Sequence, residues 1–299
     1  MRNSSRALLR WLTIAVVVIL FTVAAQQNAL ASDKKSTLET VKESGTVIIG
    51  IGQEAAPFGF MENNKLVGFD VDIARAVIER LSARAGRKLT LQFKPVTDET
   101  RISWVQSGEI HASLCHTNIT HKRDANIDFS VPYGWDGKGV LYDLRKGKHD
   151  LKDFAGKTIG IKRSSSSEGE IQAYFAAQGW KKPLLKQFDN HAAGIKALVD
   201  GQIDGFTDDN SIIINTAMKS GHKVGPGGIL AVTATPYSPA YFGIGVQEND
   251  SKWRDIINYC LHDLWKTGEY HKIYDKWFGP KSMCPIPLGD NHMEPFVEG

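Results

Sequence analysis

Hydrophobic positions along the chain fall into short strand-like runs separated by helical spacings. Leu38–Glu43 predicts a short helix ended by Gly45. Thr46-Val47-Ile48-Ile49-Gly50 follows as a β-branched run with glycine boundaries, the pattern of a buried parallel strand. Gly68-Phe69-Asp70-Val71-Asp72 leads into Ile73–Leu81, where apolar residues recur at helical intervals, and Leu89–Phe93 predicts a second strand. Thr97 or Asp98 can cap the next helix, which carries Arg101, Trp104 and Val105 and stops at Gly108. Ile110–Cys115 then alternates as a strand. This β-α-β-α-β order predicts an α/β fold with mostly parallel sheet and helices on both faces.

The pattern occurs twice. Ser44-Gly45-Thr46-Val47-Ile48 matches Ala155-Gly156-Lys157-Thr158-Ile159, and Val105-Gln106-Ser107-Gly108-Glu109-Ile110 matches Leu198-Val199-Asp200-Gly201-Gln202-Ile203. The chain therefore reads as two α/β lobes of similar topology. The stretches 133–138 and 236–241 mix aromatics with Gly or Pro and flank the second unit. They predict a two-segment hinge, with lobe 1 discontinuous (32–134 and 242–299) and lobe 2 spanning 139–235. The helical region Trp253–Phe278 then returns to lobe 1, and the cleft between the lobes becomes the expected ligand site.

Composition alters this picture at one end only. Across 299 residues the chain is 42% hydrophobic and 23% charged, as a folded globular protein should be. Its 36 basic and 33 acidic residues give a formal charge of +3, and Arg2, Arg6 and Arg10 account for the whole excess. The remainder is neutral, which argues against a nucleic-acid or membrane-surface partner. Those arginines, the apolar run Trp11–Ala25 and the small residues of Ala29-Leu30-Ala31 form a signal peptide with expected cleavage after Ala31. The run is short for a bilayer span, which needs about 20 residues. The expectation is an exported protein of the periplasm.

In such an oxidising compartment two of Cys115, Cys260 and Cys284 can pair. Cys260–Cys284 is the expected pair, with unpaired buried thiols as the alternative. No cofactor or metal is expected. The nucleophile-elbow, zinc-protease, phosphate-loop and dinucleotide signatures are missing from the sequence. His111, His116, His121 and Cys115 would make a poor metal cluster, because strand alternation points His111 and Cys115 away from His116.

The sharper features suit an amphoteric small molecule. Arg123, in a polar loop after the strand, can grip a carboxylate with its planar fork. Ser164-Ser165-Ser166-Ser167-Glu168 joins the strand Thr158–Ile161 to the helical Gly169–Ala177 and can present N–H groups to an anion. Asp208-Asp209 follows the strand Ile203–Phe206 and can neutralise an ammonium. Each has a simpler reading: a surface ion pair, a helix cap and a solvated turn. Together they fall at strand carboxyl ends, where open α/β sheets bind ligands.

Four sequence words sharpen the picture: Pro57-Phe58; Gly68-Phe69-Asp70-Val71-Asp72-Ile73-Ala74; Arg123 before Asp128-Phe129-Ser130-Val131-Pro132-Tyr133; and Gly268 leading to Lys276-Trp277-Phe278-Gly279. In these the chain resembles the extracytoplasmic amino-acid-binding proteins of ABC importers, solute-binding protein family 3, with the type II periplasmic-binding fold. The resemblance implies that Arg123 holds the α-carboxylate and Asp209 the α-amino group of an amino acid. Asn118 and the backbone around His116 would complete the lobe 1 contacts, Ser165 and Ser166 would donate from lobe 2, and Phe58 would be mainly wall. It also implies a monomer that docks on an ABC permease.

Arg101, His191 and Thr207-Asp208-Asp209 are most similar to the glutamate/aspartate-binding subgroup, in which Arg101 and His191 would surround a second carboxylate. The chain departs from that subgroup at Gly52, where acidic-ligand binders carry another Arg, and Glu54 and Asp98 add negative charge. Arg101 can instead pair with Asp98 along its own helix. Cyclohexadienyl dehydratases resemble the same binders, and Glu54 would be the general acid of that enzymatic alternative if burial raised its pKa.

Overall fold

The computed structural model describes residues 35–147, 149–282, 285, 286 and 288. The signal segment 1–31 and Cys284 lie outside these. Helix α1 (Thr37–Ser44) starts where the Ser36 hydroxyl accepts the Leu38 N–H and ends at Gly45, which is left-handed (φ 71°). Gly156, its counterpart in the repeat, has φ 73°. A side chain would be strained in either place, which is why both copies turn into their first strand at a glycine.

The first lobe continues through β1 (Thr46–Ile51) and a small antiparallel meander, β2 (Glu54–Ala55), β3 (Gly59–Glu62) and β4 (Lys65–Val67). Next come α2 (Phe69–Arg84), β5 (Thr90–Pro95), α3 (Thr100–Ser107), β6 (Ala112–Leu114), the single turn α4 (His121–Asp124) and β7 (Asp128–Phe129). The long strand β8 (Gly134–Asp143) carries the chain into a second sheet. There β9 (Thr158–Lys162), α5 (Ser167–Ala177), β10 (Leu184–Phe188), α6 (His191–Val199), β11 (Gly205–Asp209), α7 (Asn210–Lys219) and β12 (Leu230–Val232) follow in order. The return runs through β13 (Ser238–Phe242) to β14 (Gly245–Val246), α8 (Ser251–Lys266) and α9 (Glu269–Phe278).

The first sheet has the order β5-β1-β6-β14-β7, and the second β10-β9-β11-β8-β12 with β13 also on β8. Each sheet has a parallel centre, as the β-α-β pattern predicts: β1 between β5 and β6, and β9 between β10 and β11. The strands at the crossovers, β8, β13 and β14, pair antiparallel instead. Hairpin-like return strands lack the helical connection that a parallel neighbour needs.

The two crossing segments are hydrogen-bonded to each other, from Gly134 opposite Phe242 to Lys138 opposite Ser238. Each lobe has its own core. In the first, Ile49 and Ile51 of β1 and Phe69, Ile73 and Val77 of α2 pack with Trp253, Leu261 and Phe278 of α8 and α9. In the second, Leu141, Ile195, Leu198, Phe206 and Ile213 form one cluster, and Ile159, Ile171 and Phe175 belong to another. Each such side chain contributes about 1.5–3 kcal/mol by leaving water, so either sheet is well anchored. Cys260 is buried on α8 and has no disulfide partner among the described residues; its expected partner Cys284 lies outside them. Among the described residues no helix is long and apolar enough to cross a membrane.

Candidate functional site

The loops at the carboxyl ends of β1, β6, β9 and β11 face one another across the cleft. On the first-lobe side, Asp98 does not cap α3, whose N-cap position is Glu99. Its carboxylate pairs instead with Arg101 (2.8 Å) and with Lys162 of the opposite lobe. Burial opposes a charge on Asp98, but Arg101 and Lys162 together hold the carboxyl well below the usual range. Arg101 is 3% exposed and also donates to the Cys115 carbonyl at 2.9 Å.

His116 follows β6 with a left-handed backbone (φ 36°). Its N–H does not face the cleft as expected but donates to buried Asp70 (2.8 Å), which also accepts the Tyr133 hydroxyl (2.8 Å). Burial, reinforced by Arg101, lowers the His116 pKa to about 3, so its imidazole is neutral. Arg123 sits on the one-turn α4 rather than in a loop, and its guanidinium donates to the Asn118 carbonyl at 2.9 Å. Among the described residues it makes no ion pair. Burial, with Arg101 nearby, brings its pKa down to about 10, which leaves it a cation at neutral pH and short of an anionic partner.

The second-lobe side supplies the carboxylates. Asp208 and Asp209 are the last two residues of β11, not a solvated turn beyond it, and both are buried. Asp208 meets His191 Nε2 at 2.9 Å and accepts the Ser165 and Ser167 hydroxyls at 3.3 and 3.2 Å. Burial opposes a charge on Asp208, but His191 above all, with Lys138 and the Asp209 N–H, outweighs it and holds the carboxyl below the usual range. Asp209 contrasts with its neighbour. Burial raises its pKa well above the normal range, Lys138 at 4.0 Å offsets this in part, and the Asn118 amide reaches both oxygens at 3.4 Å.

Eight of the nine sequence-predicted contact residues line one pocket. Arg101, His116, Asn118 and Arg123 come from the first lobe, and Ser165, Ser166, His191 and Asp209 from the second. The ninth, Phe58, is 1% exposed and packs behind the pocket, its ring 5.3 Å from His116 and 5.0 Å from Phe242. The expected serine donors are partly engaged elsewhere, since Ser165 bonds within its own lobe and Ser166 accepts from Lys138 at 2.5 Å. Helix α5 starts at Ser167, so Ser164 is not its cap.

The pocket holds only about 10 Å³, the room of a single water. It adjoins a chamber of about 230 Å³ reached past Gly52, Cys115 and Lys162. A Cβ on Gly52 would come within 2.8 Å of the Cys115 sulfur, so the larger side chain of the acidic-ligand binders would need Cys115 to move. Glu54, on the rim, is exposed, which removes the burial that the general-acid alternative required.

Asp98, Cys115 and His116 bring potential metal-ligand atoms within 4.8 Å of one another. Both oxygens of Asp98 already face cations, and burial pushes the Cys115 thiol up to about 11, so the cluster is built as an ion-pair network. His111, proposed and rejected as a ligand from the sequence, accepts the Ile48 N–H at 3.1 Å. Three site residues escape sequence reasoning. Lys162 at the end of β9 had a signal, its place just before the serine loop. Asp70 had one too, its place in the word Gly68-Phe69-Asp70-Val71-Asp72, whereas Lys138 had none, because it becomes site-supporting only through tertiary burial.

Residues 47–280 match the bacterial extracellular solute-binding proteins, family 3. A glutamine-binding protein of an ABC transporter from Bacillus subtilis (strain 168) is 27% identical over 277 residues, covering 91% of this chain and 96% of its own. An L-glutamate/L-aspartate-binding protein of Pseudomonas aeruginosa is 27% identical over 270 residues, covering 89% and 86%. Among solved structures, an ancestral arginine-binding protein bound to arginine superposes with a TM-score of 0.67 at 31% identity, covering 79% of this chain and 99% of that one. With two sheet-bearing lobes and a cleft at the strand carboxyl ends, the fold is the type II periplasmic-binding fold. The chain belongs to the bacterial extracellular solute-binding proteins, family 3, and is a binding protein rather than an enzyme.

Proposed function

We propose that the protein is an exported receptor that closes two lobes on an amino acid, glutamate or aspartate by preference, and delivers it to the permease of an ABC importer. The observation that carries this reading is the opposition of Arg123, a guanidinium without an ion pair among the described residues, to Asp209, a buried carboxylate whose one nearby cation, Lys138, lies closer to Glu170. A zwitterion's carboxylate and ammonium supply both missing charges at once. His116 and Asn118 flank the zwitterion, with Ser165 and Ser166 across the cleft. Residues 32–134 with 242–299, and 139–235, are the moving lobes, and the segments 133–138 and 236–241 are their hinge. The protein acts as a monomer in the periplasm after cleavage behind Ala31. The importer role draws on what the relatives are named for.

The preference for an acidic side chain rests on Asp98. Two cations, Arg101 and Lys162, converge on one carboxylate and leave an excess positive charge beside His191. A second carboxylate on the ligand neutralises that excess. Glutamine is the second reading, because the ionised Asp98 can accept from an amide.

Calorimetry with glutamate, aspartate, glutamine and arginine tests the choice. Arg101→Ala should weaken glutamate far more than glutamine, whereas Asp98→Asn should strengthen glutamate and weaken glutamine. Equal losses for both ligands in Arg101→Ala, or weaker glutamate binding in Asp98→Asn, would reject the acidic preference.

A further inference from the structure

Lys138 has no solvent exposure at all, yet it lies on the crossover strand β8, opposite Asp209 on one side and Ser238 on the other. Its ammonium reaches the Ser166 hydroxyl at 2.5 Å, Glu170 at 2.9 Å and Asp209 at 4.0 Å. Four carboxylates converge here: Asp136 of β8, Glu170 of α5, and Asp208 and Asp209 of β11. Two have partners of their own, Asp208 in His191 and Asp136 in the Ser211 N–H (3.0 Å) and hydroxyl (2.6 Å). The cations facing Asp209 from other elements are Lys138, in ion-pair range, and Arg123 across the cleft, which bonds to Asn118.

Buried carboxylates this close cannot all be ionised without a cation among them. We infer that Lys138 is the resident counter-ion of the amino-group subsite: balanced by Glu170, it favours the ionised form of Asp209 and sets the subsite to a single negative charge, matched to one ligand ammonium. The inference rests on the reading of Asp209 as the amino-group partner and adds what makes that partner selective. With Lys138 and Glu170 both present, their charges cancel and Asp209 remains to attract an ammonium. Without Lys138, Asp209 takes up a proton that an incoming ammonium must displace to solvent. Without Glu170, Lys138 neutralises Asp209 itself, and a ligand lacking the amino group is no longer at a disadvantage.

The test uses the full chain and two variants, Lys138→Met and Glu170→Gln. The probes are whichever of glutamate, glutamine and arginine the parent binds tightest, and the desamino analogue of that ligand. Calorimetry in buffers of different ionisation enthalpy gives the protons released per ligand bound. Lys138→Met should release more protons than the parent, approaching one, and lose about tenfold in affinity at pH 7. Glu170→Gln should release fewer protons and narrow the preference for the amino acid over its desamino analogue by about tenfold. Glu170 is partly exposed, so Glu170→Gln keeps the question open to refutation should Lys138→Met fail to fold. Parental proton release and parental preference in Glu170→Gln would overturn the inference. Asp209→Asn separates the two claims: if it leaves amino-acid affinity intact, the amino-group reading itself fails. If it abolishes binding while the other two variants behave as the parent, only the role of Lys138 is lost.

Discussion

In the first lobe two helices beyond the sheet, α3 and the one-turn α4, deliver guanidinium groups to the cleft, Arg101 and Arg123, whereas in the second lobe β11 ends in two carboxylates, Asp208 and Asp209. The scaffolds behind them are alike. Each begins with a left-handed glycine, has a parallel centre of three strands and ends a helix just before its third strand. The duplicated scaffold fixes where side chains emerge, and the unlike charges decide what fits between them. The proposed ligand, bridging the lobes, matches them by carrying both signs. The interlobe pair Asp98–Lys162 reverses the pattern, an anion on the first side and a cation on the second.

Removing one sign breaks the comparison most severely. Arg123→Ala should cost about 2–5 kcal/mol of binding, roughly thirty- to several-thousandfold in Kd, and equally for every amino-acid ligand. Titration calorimetry checks this, and a loss confined to one ligand would mean that Arg123 reads a side chain instead.

The next effect comes from protons on the negative side. Burial raises the pKa of Asp209, and an ammonium binds its ionised form, so bound ligand favours loss of the proton. Affinity should therefore rise with pH from the usual carboxylate range upward, by up to about tenfold per unit, until Asp209 is ionised without ligand. A flat affinity profile between pH 4 and 8 would contradict it.

The smallest effect bears on stability behind the positive side. Burial raises Asp70 to about 7 despite its bonds from Tyr133 and His116. The folded state then holds a proton that the unfolded chain has released, so this contribution is full below about pH 4 and lost as pH rises through about 7. His116, lowered to about 3, acts with the opposite sign, losing stability as pH falls below about 6.5. The informative quantity is thus the difference in Tm between the parent and Asp70→Asn. The parent should lose its lead, by a few degrees, between pH 4 and 7, and a constant difference would show that Asp70 keeps its charge throughout.

Much of this comparison was legible in the sequence. The paired glycines, the β-branched first strand and the helical spacing of Ile73–Leu81 are local signals, and they led to the two lobes and the crossover points. Arg123, Asn118 and Asp209 were singled out, and the structure brings them to one pocket, because strand carboxyl ends are predictable from the same signals, helped by resemblance. What stayed hidden depends on contacts between distant segments. Asp98 looked like a helix cap until Lys162 faced it from the other lobe, more than sixty residues away. Lys138 drew no attention in the sequence, because nothing local reveals that β11 and β13 both cover it. The aromatic partners of Phe58, namely Phe69, Phe242 and Phe278, come from three separate elements and have no local signal.

The ladder between β8 and β13 has a mechanical consequence. Five residue pairs, Gly134–Phe242 to Lys138–Ser238, join the two crossings into one ribbon. Such a ribbon resists stretching and sliding, which would rupture its hydrogen bonds together, but it yields to bending and twisting as β-strands do. If the lobes close as proposed, the ribbon confines that movement to rotations about itself, and the opposing walls then meet in a single register. Lys138 occupies the last rung, so a change in the ribbon's curvature is delivered directly beneath Asp209.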